Sequence, residues 1–153
     1  MPVAHHANGQ SIVTINKNEN MERLQLNDAC KKQHQDVLDK GFTNFEVPTL
    51  LMLIVSELSE ALEADRHGNH SNYPMFEYAL KSIQKSNEPR EEREQKYKFY
   101  FEQHIKDSFE DEIADAFLRL MDLCGAFNID IEKAIRYKRE YNRLRPIKHG
   151  KAY

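Results

Sequence analysis

The sequence predicts an all-α fold, a helical bundle of one domain, and three observations carry that expectation. Glycine and proline are sparse, five of each in 153 residues, so few positions interrupt a helix. Leu, Glu, Lys and Ala dominate the stretches between them, and all four are good helix formers. Apolar residues recur every three or four positions rather than alternating, which is the period of a helix face.

Taken in order, residues 1–20 show no sustained period and read as a flexible arm, leaving 21–153 as the single domain. From Met21 to Lys40 the apolar positions Met21, Leu24, Leu26, Ala29, Cys30, Val37 and Leu38 follow helical spacing, and Gly41 is the stop. Pro48 suits a first helical turn, so a second helix runs from about Thr49 to Asp65, ended by Gly68. After a polar loop, Pro74 opens a short helix with Phe76, Ala79, Leu80 and Ile83 on one side. Pro89 opens another, whose first turns place Glu92/Lys96 and Glu94/Lys98 for i,i+4 pairing, with Tyr97, Phe101 and Ile105 as its apolar ridge. The ridge continues through Phe109, Ile113 and Phe117, consistent either with one helix to Cys124 or with a kink near Asp107-Ser108. Gly125 and Asn128 mark a turn, Asp130 is an N-cap, and a last helix runs from Ile131 to Leu144 before Pro146.

The net charge of −3 lacks the positive excess of a protein that coats a nucleic-acid polymer, so a nucleotide ligand would be a small molecule. The longest apolar run, Leu50 to Val55, is far too short to span a membrane, and no signal peptide is visible, so a cytoplasmic location is expected. Cys30 and Cys124 lack metal or redox spacing and read as reduced core thiols.

Carboxylates three apart share a helix face and can grip one cation. The chain has eight such pairs, so spacing alone decides little. Burial discriminates. At about 100° per residue, Leu50, Ile54, Leu58, Ala61 and Leu62 form one face; Glu57 falls inside it, Glu60 at its edge and Glu63 on the far side. On the helix of Phe109, Ile113, Phe117, Leu120 and Cys124, Glu112 lies at the margin with Asp115 just beyond, and Asp111 and Asp122 farther round. A carboxylate among apolar neighbours needs a counter-charge, either Lys or Arg from a neighbouring helix or a shared cation. No histidine follows a glutamate by three residues, which removes the di-iron bundle. An oxygen-only ligand set, Glu57, Glu60, Glu112 and Asp115, selects Mg²⁺, with Mn²⁺ as the alternative.

LMLIVSELSEALEADR (51–66), FEDEIADAFLRLMDL (109–123) and KREYNRLRPIKHGKAY (138–153), in that order, resemble the MazG-like all-α nucleoside triphosphate pyrophosphohydrolases. The resemblance implies that those four carboxylates hold Mg²⁺, that Lys138, Asn142 and Arg145 contact the triphosphate or sugar, and that the chain works as a homodimer or homotetramer. It also implies attack by water on the α-phosphorus, releasing nucleoside monophosphate and pyrophosphate. Glu57, the most core-facing of the four, is the candidate for holding or deprotonating that water, because partial burial raises a carboxylate's basicity. Two departures stand out: Ser56 occupies a position that is often acidic, and residues 67–105 look like an insertion, capping the site or making an oligomer contact. Phe42, Phe45, Tyr73 and Phe76 are available to stack a base, and His149 to Lys151 form a basic tail able to close over phosphates. The competing expectation is a non-catalytic helical oligomer that binds nucleotides or a protein partner, the acidic cluster serving as a structural cation site.

Overall fold

Six helices follow one another in the computed structural model, which describes residues 25–43 and 46–146: α1 (Leu26–Asp39), α2 (Val47–Arg66), α3 (Tyr73–Lys85), α4 (Arg90–His104), α5 (Phe109–Ala126) and α6 (Ile131–Arg143). No strand occurs among the described residues, so the chain is an all-α bundle. The N-terminal arm, Met21 and Leu24 of the expected first helix, Phe45, and the tail from His149 to Lys151 lie outside the described residues.

The helix boundaries follow local chemistry. Pro48 sits in the first turn of α2, where its missing N–H costs nothing. Gly41 and Gly68 follow α1 and α2 at φ +87° and +65°, the left-handed conformation that glycine adopts without strain. Asn72, Ser108 and Asp130 cap α3, α5 and α6, each side chain accepting from a backbone N–H of the first turn. The long ridge from Tyr97 to Phe117 breaks near Asp107-Ser108: α4 ends at His104, Asp107 takes φ +59°, and α5 starts afresh at Phe109.

α5 is the central helix, packed between α2 and α1, while α3 and α4 pair with each other and α6 lies against α1. Gly125 is not the turn the sequence suggested but an internal residue of α5. A Cβ there would meet the Cys30 carbonyl oxygen well inside contact distance and His34 Cβ at 2.6 Å, so glycine is what lets α1 and α5 cross this closely. Asn128, at φ +50°, makes the turn. Cys30 and Cys124 are free and buried at this crossing, as expected of core thiols, and burial pushes both thiols above their ordinary value.

Two expected ion pairs differ. Lys96 bonds Glu88, and Glu94 accepts from Arg90 at 2.6 Å, because Glu88 and Arg90, just ahead of and at the start of α4, offer partners that compete with Glu92 and Lys98. The segment from Gly68 to Ile105 is clamped at its base. Asn72 N–H donates to the His104 carbonyl at 2.7 Å, and Phe109 N–H to the Asn69 carbonyl at 2.9 Å. Ser71 N–H donates to Glu110 at 2.8 Å, and the Ser71 and Ser108 hydroxyls are 2.6 Å apart. The Ser71 amide holds the Glu110 carboxyl below its ordinary value.

A candidate cation site of converging carboxylates

α2 delivers Glu57 and Glu60 where the wheel of its apolar positions places them: Glu57 is buried, 6% exposed, and Glu60 lies at the exposed edge. Glu63 points away and pairs with Arg66 and His67. On α5 the outcome differs from the sequence reading. The ridge of Ile113, Phe117 and Leu120 is exposed, and the buried positions are Glu112, Ala116, Asp122, Leu123, Cys124 and Gly125. The buried stripe is displaced by about one residue, roughly 100°, so Glu112 sits centrally rather than at the margin, 6% exposed. Asp122, expected on the outer side, is buried and faces His34 of α1, Oδ1 to Nδ1 2.8 Å.

Carboxylate oxygens of Glu57, Glu112 and Asp115 all lie within 4.8 Å of one another. The fourth expected ligand, Glu60, lines the same cleft but is outside that trio, and its Oε1 accepts from Ser56 Oγ at 3.2 Å. The departure at position 56 thus places a hydroxyl donor beside an expected ligand.

The trio is electrostatically strained. Burial, then the charges of Glu60 and Glu57, raise the Glu112 carboxyl from 4.5 to about 7. Burial and the nearby Asp111 raise Asp115 as well. Glu57 has a partner: Arg119 Nε donates to its Oε1 at 2.5 Å, the helix-to-helix counter-charge weighed as the alternative to a cation. Glu112 has none; its carboxylate makes no hydrogen bond or ion pair among the described residues. The carboxyl opens onto a cleft that solvent reaches, so it meets the cost of its charge by holding its proton rather than by a protein partner.

These groups line a cleft of about 670 Å³ between α2, α4 and α5, whose lining carries seven carboxyl side chains against three cations. The sequence reading missed Arg119, although it stands one turn beyond Asp115 and two beyond Glu112, on the same face of α5. It also missed the contribution of α4. Lys138, Asn142 and Arg145 are not brought to the cleft: Lys138 and Asn142 lie on α6, where Lys138 Nζ stands 5.2 Å from the Tyr141 ring centre, and Arg145 follows it. Phe42, Tyr73 and Phe76 do not line it either. No helix among the described residues is long and apolar enough to cross a membrane. Comparison of the chain with protein-family models, with curated proteins and with solved structures finds no match.

Proposed function

We propose that the chain is a Mg²⁺-dependent nucleoside triphosphate pyrophosphohydrolase, releasing nucleoside monophosphate and pyrophosphate. The observation that carries this reading is the convergence of Glu57, Glu112 and Asp115 from two helices, with the buried Glu112 unpartnered. Oxygen ligands of Mg²⁺ stand about 2.1 Å from the ion, hence up to ~4.2 Å from one another, a spacing the trio reaches by small side-chain rotations. The donor set is all carboxylate, as a hard cation requires, so Mg²⁺ or Mn²⁺ fits it. Bound there, the ion supplies charge neutralisation of the triphosphate and of the departing pyrophosphate.

The remaining work falls to side chains. Glu57, buried at the centre of the cluster, holds or deprotonates the attacking water, and Arg119 orients it through Oε1. Glu60, held by Ser56, completes the acidic rim. Assignment of Lys138, Asn142 and Arg145 to the nucleotide rests on the resemblance alone. The working form in this reading is a homo-oligomer, because Leu51, Val55, Leu58 and Leu62 of α2 and Ile113, Phe117 and Leu120 of α5 form two stripes at helical spacing that stay exposed. A second copy of the same face would cover them, as in a four-helix bundle.

The Arg119–Glu57 pair favours the second reading, a structural acidic cluster in a non-catalytic binding protein. Incubation with a panel of nucleoside triphosphates and Mg²⁺, followed by chromatography, separates the two. The reading expects monophosphate and pyrophosphate; accumulation of diphosphate and phosphate, or no turnover of any nucleotide, overturns it.

A further inference from the structure

The inserted helix α4 has no buried residue, although the sequence offers Tyr97 and Phe101 as a core ridge. Both rings instead line the carboxylate cleft. They stack on one another, centroids 6.3 Å apart and planes 16° from parallel. Phe76 of α3 packs edge-on against each, at 5.4 and 5.9 Å. The pair is therefore a fixed apolar surface facing a polar cavity, with its orientation set by the α3–α4 hairpin. Beside it, Lys98 and Lys106 line the same cleft. Lys98 makes no hydrogen bond or ion pair among the described residues, and Lys106 is held by the neighbouring Asp107, Nζ to each oxygen 3.0 Å.

We propose that α4 is the nucleotide-recognising wall of the site, the Tyr97–Phe101 surface taking the base and Lys98 and Lys106 taking phosphates of a nucleoside triphosphate held against the α2–α5 carboxylates. This deepens the pyrophosphohydrolase reading and rests on it. Acids and cations share the cleft, with Glu102 and Asp107 beside the two lysines. A cation-triphosphate complex needs acids for the ion, cations for the phosphate oxygens that the ion leaves unneutralised, and a flat apolar surface for the base. Each part is present in one cavity, and the last two come mainly from the insertion. Arg119, already engaged by Glu57, is the third cation that lines the cleft. The insertion is thus a specificity element, and its rings set which bases are accepted.

The test is calorimetric binding, in Mg²⁺, of two probes: a nucleoside triphosphate with a methylene bridge between the α- and β-phosphorus, and inorganic tripolyphosphate. Lys98→Ala and Lys106→Ala remove exposed side chains and leave the fold intact. Each should weaken both probes about tenfold, the scale of one lost charge-assisted contact. Tyr97→Leu should weaken the nucleotide about tenfold and leave tripolyphosphate within about twofold, because stacking touches the base alone. Lys85→Ala, on the exposed side of α3 away from the cleft, should change neither. Wild-type affinities in the two α4 variants and in Lys106→Ala, in the turn after α4, with both probes bound by the wild type, overturn the role of this wall and leave the cation site and the proposed reaction standing. A wild type that binds neither probe overturns both.

Discussion

Replacing Glu112 by Gln keeps the shape of the side chain and removes one charge from the cluster. The folded chain holds the Glu112 proton to about pH 7 against an ordinary value of 4.5. Below pH 4.5 the carboxyl is protonated in both folded and unfolded chains and contributes no difference. Between 4.5 and 7 the unfolded chain ionises while the folded one retains its proton, so stability falls as pH rises; above 7 the loss is complete and constant. At roughly 1.4 kcal/mol per pH unit, a gap of about 2.5 units sets an upper bound of about 3 kcal/mol, which water in the cleft reduces by screening. The Gln variant lacks that penalty. In EDTA at pH 8 it should exceed wild type by up to about 3 kcal/mol, and the advantage should vanish toward pH 4.5. Urea denaturation followed by circular dichroism at several pH values gives the difference directly, since other titrating groups are common to both proteins. Added Mg²⁺ should close most of the gap at a hundredfold excess over Kd, where wild type gains RT ln(1 + [L]/Kd), about 2.7 kcal/mol, and should reverse the order at a thousandfold excess, where the gain is about 4.1 kcal/mol. A variant less stable than wild type in EDTA at pH 8, or an advantage independent of pH, would refute this account of the cluster.

Further outcomes follow from the packing. Gly125→Ala forces a methyl group against the Cys30 carbonyl and the His34 Cβ and should cost about 1–3 kcal/mol in denaturant titration, as overpacking does. Asp122→Asn weakens the pairing with His34 at a buried position and should destabilise by about 1–3 kcal/mol; a neutral result would mean the pair adds nothing to the α1–α5 contact. Phe117→Asp places a charge on the exposed α5 stripe, where Phe117 is 53% exposed. Under the proposed homo-oligomer, light scattering should show a smaller particle than wild type while the helical signal persists, and an unchanged mass would refute that pairing of the stripes.

Local features were legible in the sequence because local chemistry determines them. Pro48, Gly41, Gly68 and Asp130 act within a few residues, and the helix limits they imply agree with the structure to within a residue or two. The inward aim of Glu57 was legible for a related reason, since α2 buries Leu50, Ala61 and Ala64 with the glutamate, but Leu58 and Leu62 of the face expected to be buried stay exposed. The same reasoning misplaced α5, since it takes the most apolar face as the buried one. Here Ile113, Phe117 and Leu120 remain outside, while Glu112 and Asp122 go inside. What decides this, the packing of α1 and α2 against α5 and the pairing of Asp122 with His34, comes from segments far away in sequence. Gly125 read as a turn because its reason, the close approach of α1, is tertiary. Likewise nothing local could say that the hairpin of α3 and α4 folds so that Tyr97 and Phe101 face the carboxylates.

The central claim, that Glu57, Glu112 and Asp115 hold a divalent cation, is most directly tested with Mn²⁺ and needs no substrate. The electron paramagnetic resonance signal of free aqueous Mn²⁺ disappears when the ion binds protein. Titration of the wild type should remove at least one equivalent per chain, with competition by Mg²⁺, and Glu112→Gln and Asp115→Asn should abolish most of that loss while remaining folded. Full retention of the free signal by folded wild-type protein would contradict the claim.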